Sequence, residues 1–221
     1  MIRTLVIADL HFDNKPYGLL KAQKAATIEI YNDAVKSGPI DDVIFLGDLM
    51  MHRKPYPRVL LALKEAIDYI SEKSNVFILR GNHDSETKAD DGVTALSLLA
   101  KKNVTIITQI LVDNSSRRVY IPHYEDETKI KEALVQVPTG YTVFGHFGYY
   151  GSLNSAGDND FFLTPADFNN TTILGHIHQY SSSKNITLLG TPYTTNFSEH
   201  RKESFYGIIT DDRLETFPVE F

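Results

Sequence analysis

Short apolar runs rich in β-branched residues recur along the chain, and turn signals separate them. Runs of this length and composition are typical of strands that are buried in a sheet. We therefore predict strands at residues 4–8, 42–46, 75–79, 104–107, 118–121, 141–144, 171–174 and 186–189.

Helical periodicity is clearest in residues 57–72. The apolar side chains there repeat at intervals of three and four positions: Val59, Leu60, Leu63, Ala66, Ile67 and Ile70. That spacing places them on one face of a helix, and Pro57 suits the first helical turn. Residues 19–36 and 93–101 show a weaker form of the same pattern. We predict a helix in each of the three segments.

The order of these elements indicates the fold class. The first half of the chain alternates strand and helix, whereas the last third has strands with short connections and a predicted hairpin at Asp211 and Asp212. This order favours an α/β fold, a mixed β-sandwich flanked by helices. The glycine-rich and serine-rich stretch 148–160 is predicted to be an irregular loop. No repeat or linker divides the chain, so we expect one domain over residues 1–221 without a separate capping domain.

Composition places the chain among ordinary globular proteins. It has 221 residues, of which 42% are hydrophobic and 23% charged. No apolar run is long enough to cross a membrane, and the start MIRTLVIADLHF lacks a secretory leader, so we expect a cytoplasmic location. The net charge of −6 argues against a protein that coats nucleic acid uniformly, but it leaves room for a local basic patch.

The absence of cysteine limits the chemistry that the chain can perform. It excludes disulfides, cysteine nucleophiles and thiolate metal sites. Any metal must therefore be bound by carboxylate, imidazole or amide groups, which suit Mn²⁺, Mg²⁺, Fe²⁺ or Zn²⁺.

A short polar cluster follows most of the predicted strands. The clusters are Asp9-Leu10-His11, Gly47-Asp48, Gly81-Asn82-His83-Asp84, Gly145-His146 and Gly175-His176-Ile177-His178. Loops at the carboxyl ends of strands converge on one edge of an open α/β sheet, where function gathers. A single histidine of this kind is more often a structural residue, but five clusters at five strand ends predict one functional site.

The series DLH, GDL, GNHD, GHF and GHIH, in this order, resembles the calcineurin-like metallophosphoesterase family over residues 9–178. The resemblance implies a four-layer αββα fold and two metal ions. It implies that Asp9, His11 and His178 bind one ion, that Asn82, His146 and His176 bind the other, and that Asp48 bridges both.

The chemistry of such a pair is independent of the family. Two divalent ions about 3.5–4 Å apart can clamp a phosphoryl group, and a hydroxide between them is an in-line nucleophile at neutral pH. We expect two Mn²⁺ ions, with Mg²⁺, Fe²⁺ and Zn²⁺ as alternatives. In an extended segment, the alternation of Gly-His-Ile-His would direct both imidazoles to one face and Ile177 to the core.

His83 lies between Asn82 and Asp84 and is not among the expected ligands. In the family, the equivalent histidine contacts the scissile phosphate and assists the leaving group. Asp84 would then orient and charge its ring. The structural alternative is that His83 only ends a strand and that Asp84 or Ser85 caps a helix.

Three further segments resemble the SbcD-type DNA repair nuclease branch of the family. They are GDLMMHRKPYP, IPHYEDE and LLGTPYTTNFSEHRKESFYGI. This resemblance implies DNA as substrate, a role in repair or recombination, an SbcC-type ATPase subunit on a separate chain, and a homodimer. It gives His52 a phosphate-contacting role, although His52 follows Asp48 by four positions and the nuclease pattern has three. A nuclease core without a separate capping domain would suit a phage-like genome, and the location of the protein would then be the host cytoplasm.

Basic residues flank these segments. Arg53, Lys54, Arg201 and Lys202, with Arg58 beside them, could form a rim for a phosphodiester backbone around an acidic metal site. The alternative is that they are solvated surface charges.

Two other functions are compatible with the motifs, because one catalytic core serves many phosphate esters. The first is a phosphatase or phosphodiesterase that acts on small molecules, cyclic nucleotides or phosphoproteins. The second is a scaffold without turnover, which the complete ligand set argues against. We therefore predict a phosphodiesterase that cleaves DNA, with endonucleolytic or exonucleolytic action left open.

Overall fold

The fold was obtained as a computed structural model, which describes residues 2–152, 162–194 and 203–219. Its helices are α1 (Leu19–Lys36), α2 (Pro57–Ser71) and α3 (Glu127–Gln136). Its strands are β1 (Arg3–Ile7), β2 (Asp42–Phe45), β3 (Asn75–Leu79), β4 (Val104–Ile107), β5 (Leu111–Asp113), β6 (Arg118–Ile121), β7 (Thr142–His146), β8 (Thr172–Gly175), β9 (Ser181–Ser183), β10 (Ile186–Leu188), β11 (Phe205–Thr210) and β12 (Arg213–Pro218).

The strands form two mixed sheets. The first has the order β12-β11-β1-β2-β3-β4, in which β1 to β4 are parallel and β11 and β12 are antiparallel additions. The second has the order β5-β6-β7-β8-β10-β9, with a parallel centre of β6, β7, β8 and β10. All the parallel central strands therefore end at the same edge of their sheet.

The two sheets pack face to face, and helices cover their outer faces. Along β1, Val6 faces the second sheet, whereas Leu5 and Ile7 pack toward α1 and α2. On the far side, Ile130 and Leu134 of α3 cover the second sheet. The central strands are buried on both faces, which explains their continuous apolar sequences. The predicted fold class, a helix-flanked αββα sandwich, is confirmed.

An ion pair joins the sheets at the end where the parallel strands begin. Arg118, the first residue of β6, donates to Asp42 at 2.8 Å and to Thr4 at 2.6 Å. Both partners belong to the first sheet, and all three side chains are buried. This contact lies at the opposite end of the strands from the polar clusters.

Most predicted elements are present. Helix α1 has the predicted bounds, α2 ends one residue early, and every predicted strand exists within two residues. The hairpin is confirmed, since Asp211 and Asp212 join β11 to β12 with φ of 50° and 61°. Most of the loop predicted at 148–160 lies outside the described residues. In the described part of the chain, no helix is long and apolar enough to cross a membrane.

The helix predicted at 93–101 was wrong in type. Residues Ala95–Leu99 form a 3₁₀ helix, because Thr94 caps its start and Lys101 already pairs with Val104. Only five residues remain between these constraints, and short segments favour 3₁₀ geometry. Helix α3 was missed, although Asp126 caps it and Ile130 and Leu134 have helical spacing.

Candidate metal centre

The polar clusters converge at the carboxyl ends of β1, β2, β3, β7 and β8. Hydrogen bonds join the loops: the N–H of His11 donates to the Asp48 carbonyl at 2.9 Å. The N–H of His83 donates to the Asp48 carboxylate at 2.8 Å, and that of His176 donates to the Asp9 carboxylate at 3.0 Å. The carboxylates therefore organise the backbone around them as well as facing the site.

Asp9, His11 and His178 form the first group of ligand atoms, which all lie within 4.8 Å of one another. The Nε2 atoms of His11 and His178 are 2.9 Å apart. Two nitrogens bound to one ion at about 2.1 Å and at a right angle would be about 3 Å apart, so the separation suits shared coordination.

Asn82, His146 and His176 form the second group. The Asn82 Oδ1 lies 3.0 Å from His146 Nε2 and 3.0 Å from His176 Nδ1. His146 Nδ1 donates its proton to the Leu46 carbonyl at 2.7 Å, which directs Nε2 toward Asn82. This is the arrangement of a metal-ligating histidine whose second nitrogen is fixed by a backbone carbonyl.

Asp48 lies between the two groups and is buried. One carboxylate oxygen is 3.4 Å from His146 Nε2, and the other is 3.8 Å from His11 Nε2. Asp48 also forms a possible ligand group with His11 and His83. The seven predicted ligand side chains are thus brought together as two sets with one carboxylate between them. This donor set fits two divalent cations.

The electrostatics of the site also suit cations. Burial lowers the pKa of His11 and His176 to about 3, so both rings are neutral and have a lone pair to offer. Burial opposes charge on His146 as well, but the Asp48 carboxylate outweighs it and raises the pKa of His146 to about 9. A metal ion bound at His146 would therefore displace a proton.

The backbone at the site is strained. Asp9, His11, Asp48 and His176 have φ of 52°, 46°, 49° and 78°, in the left-handed region that side chains disfavour. His176 is therefore not in an extended segment, so strand alternation does not account for the placement of the two GHIH histidines. Instead, the turn at His176 directs it to Asn82, while Ile177 packs in the core as predicted.

Two glycines are required by the close approach of these loops. A Cβ on Gly81 would overlap the Asp48 carboxylate and backbone nitrogen. A Cβ on Gly47 would lie 2.5 Å from His146 Nδ1, and Gly47 also has a φ of 99°. Glycine thus lets three strand ends meet around one carboxylate.

The predicted orientation of His83 by Asp84 is wrong. His83 Nδ1 donates to the Met51 carbonyl at 2.6 Å, which leaves Nε2 for a ligand, and its ring is 5.0 Å from that of His11. The buried Asp84 carboxylate accepts instead from the N–H groups of Leu49, Met50 and Gly81. Asp84 therefore joins the turn after β2 to the turn after β3.

The predicted rim residues differ in their surroundings. His52 is exposed and lies 3.7 Å from Asp13, beside the loop that carries His11. Lys54 is exposed. Arg53 donates to the carbonyls of Ser85 and Thr87 and to Glu125 at 3.1 Å, so its guanidinium connects loops rather than facing outward. Arg201 and Lys202 lie outside the described residues.

Residues that support the site were missed in the sequence. Gln23 of α1 donates to the His11 carbonyl at 2.8 Å and accepts from the N–H of Asp13 at 2.9 Å. The Tyr193 hydroxyl donates to the Leu10 carbonyl. His123 follows β6 and has its ring 5.9 Å from that of His176. Its position after a strand, like that of the other clusters, and its place in the segment IPHYEDE were the available signals.

Comparison with known proteins identifies the family of the chain. The chain belongs to the calcineurin-like phosphoesterase family, whose sequence profile matches residues 2–189. It is therefore a hydrolase of a family that uses divalent metals. An archaeal phosphodiesterase superposes with a TM-score of 0.48 at 14% identity, over 98% of this chain and 99% of its own. The nuclease MPE of Pseudomonas putida superposes with a TM-score of 0.46 at 14% identity, over 97% of this chain and 87% of its own. No curated protein matches significantly.

We predict that Asp84 stabilises the metal site without taking part in chemistry. In Asp84→Asn, the new side-chain amide group would face backbone N–H groups that donate to the carboxylate in the wild type. The free energy of unfolding should therefore fall by about 1–3 kcal/mol. Metal affinity should fall as well, because Asp48 lies on the turn that Asp84 holds. Urea denaturation and metal titration test this prediction. Unchanged stability combined with a large loss of kcat at saturating metal would instead give Asp84 a role in the reaction.

Proposed function

We propose that this chain is a phosphodiesterase that uses two divalent ions, Mn²⁺ foremost, to cleave DNA. The observation that supports two ions is the division of the ligand side chains into two sets that share Asp48. Two ions in such a site would supply an activated water and neutralise charge on the phosphoryl group.

The side chains would perform the remaining tasks. Asp9, His11 and His178 would hold one ion, and Asn82, His146 and His176 the other, with Asp48 contacting both. His83 would serve the leaving group, because its Nδ1 is engaged by Met51 and its Nε2 can deliver a proton. His52, at the exposed edge of the same loop, would contact the phosphate backbone.

A basic groove supports DNA as the substrate. It has a volume of about 540 Å³ and lies between the starts of α1 and α2. Its lining includes Asn14, Tyr17, Lys21 and Arg58. Asn14 is three positions after His11, so the groove adjoins the metal-site loop.

The groove has the features that single nucleic acid strands require. Segments 14–28 and 52–64 contribute four exposed cations that have no ion pair among the described residues, in a chain whose net charge is −6: Lys15, Lys21, Lys54 and Arg58. Tyr17 is fully exposed and Tyr56 is 54% exposed, so both rings are available to stack on bases. Basic side chains beside exposed aromatic rings are typical of surfaces that bind single strands.

The structure changes which basic residues belong to this proposal. Lys54 remains, since it is exposed and precedes Arg58 by four positions. Arg53 is replaced by Lys21 and Arg58, which are exposed and have no ion pair among the described residues. An SbcC-type ATPase partner and a homodimer remain proposals that rest on the sequence resemblance alone.

Replacement of His83 should separate catalysis from metal binding. In His83→Gln, metal content should stay at the wild-type value while kcat falls by roughly 10²–10⁴-fold, because a general acid is lost and the ligands are not. Elemental analysis and steady-state kinetics on one preparation provide both values. Loss of metal would show that His83 is a ligand, as its position beside His11 and Asp48 also permits.

The groove predicts a substrate-specific defect. Lys21→Ala/Arg58→Ala should raise KM for single-stranded DNA by about tenfold and reduce the slope of log affinity against log salt by about 1–2, because two phosphate contacts are lost. Hydrolysis of a small chromogenic phosphodiester should change less than about twofold, because Lys21 and Arg58 would contribute only to the binding of DNA and do not belong to the metal ligands.

A matched control removes the same charge at the opposite end of the sheets. Lys73 and Lys102 are exposed, and each lies two positions before a strand, β3 and β4 respectively. Lys73→Ala/Lys102→Ala should leave DNA cleavage and its salt dependence unchanged. Equal defects in both double variants would rule out a specific groove. Wild-type protein that ignores plasmid, single-stranded and linear DNA with Mn²⁺ but hydrolyses small esters would replace the DNA proposal with the small-substrate phosphoesterase.

A further inference from the structure

His123 lies beside the metal centre but outside both ligand sets. Its ring is 5.9 Å from that of His176 and 6.2 Å from that of His146, the two histidines of the second set. His83 lies on the other side, next to His11 of the first set. Two histidines outside the two ligand sets therefore lie beside the metal centre, one next to each set.

The ring nitrogens of His123 have no partner among the described residues. Neither Nδ1 nor Nε2 makes a hydrogen bond, and both are shielded from solvent. The nearest acidic atom is a Glu125 oxygen 3.9 Å from Nε2, beyond hydrogen-bond distance. A buried polar atom without a partner costs about 1–3 kcal/mol, so two such atoms in one ring beside a functional site favour a partner from outside the chain.

The backbone of His123 is held firmly in this position. Its N–H donates to the Arg80 carbonyl at 2.9 Å, and its carbonyl accepts from the Arg80 guanidinium. Arg80 is buried and directly precedes the Gly81-Asn82-His83-Asp84 cluster. The loop after β6 is therefore fixed to the loop that supplies Asn82. Only the ring of His123 makes no hydrogen bond to the described part of the chain.

The ring can bring a nitrogen to its exposed side without backbone movement. The side chain is 15% exposed, and its exposed part consists of carbon atoms because both nitrogens are shielded. Turning the imidazole over exchanges each nitrogen with a carbon at nearly the same place. A nitrogen then reaches the open side of the ring.

We propose that His123 is a substrate-contacting residue that donates a hydrogen bond to a phosphate oxygen on the His146 and His176 side of the metal centre. It would be the counterpart of His83 and would secure the phosphate from the opposite flank. The inference rests on the proposed phosphodiesterase function, but it holds for any phosphate ester and does not require DNA.

The test measures phosphate binding and metal content in addition to turnover. Inorganic phosphate is titrated calorimetrically into Zn²⁺-loaded wild-type, His123→Phe and His123→Gln protein. His123→Phe should weaken phosphate binding roughly 10- to 100-fold, because a hydrogen bond to a charged group is lost. His123→Gln retains a donor and should recover most of the affinity. Metal content should be equal in all three proteins.

A second measurement observes the ring directly. In ¹⁵N-histidine-labelled Zn²⁺ protein, one His123 ring nitrogen should shift when phosphate is added, whereas those of exposed His52 should shift much less. The His123→Gln spectrum identifies the resonances. The proposal is overturned if His123→Phe binds phosphate as wild type does, if its metal content falls, or if the His123 nitrogens do not respond. If the wild-type protein binds phosphate through His123 as expected but does not cleave DNA, only the DNA proposal is contradicted.

Discussion

The burial of Asp48 is the constraint on which the rest of the site depends. Its carboxylate faces His146 on one side and His11 on the other, and it also accepts the N–H of His83. A buried carboxylate requires positive charge or hydrogen-bond donors around it. The neutral rings of His11 and His176 and the Asn82 oxygen offer lone pairs rather than protons. Asp48 holds a proton on His146, and divalent cations that displace this proton would supply the positive charge in its place. The family to which the chain belongs uses such ions.

The two packed sheets bring the loops together around Asp48 at one end of the strands, and a buried ion pair joins the sheets at the other end. Parallel strands of both sheets end at one edge, where glycines allow the loops to approach Asp48 closely. Asp84 then joins two of these loops, and Gln23 attaches the His11 loop to α1. At the far end, Arg118 connects the sheets through Asp42 and Thr4. The left-handed backbone at the ligand residues is sustained by this surrounding structure.

The sequence predicted the elements whose causes are local. The apolar runs located the strands, the periodicity of residues 19–36 located α1, and the clusters after the strands identified the side chains that now converge. Features that depend on contacts between distant residues could not be predicted in the same way. The role of Asp84 requires knowledge of where the turn after β2 lies. Arg53 connects loops through Glu125, which is 72 positions away. The lack of a hydrogen-bond partner for the ring nitrogens of His123, among the described residues, is evident only once its neighbours are known.

The most direct test of the central claim is the number of ions bound per chain, measured by titration with Mn²⁺ and by elemental analysis. We expect two ions in the wild-type protein. We also expect that Asp48→Asn, which keeps the shape and removes the charge, loses both ions together with turnover. A single ion in the wild type would contradict a two-metal site bridged by Asp48, as would two tightly bound ions with full turnover in Asp48→Asn.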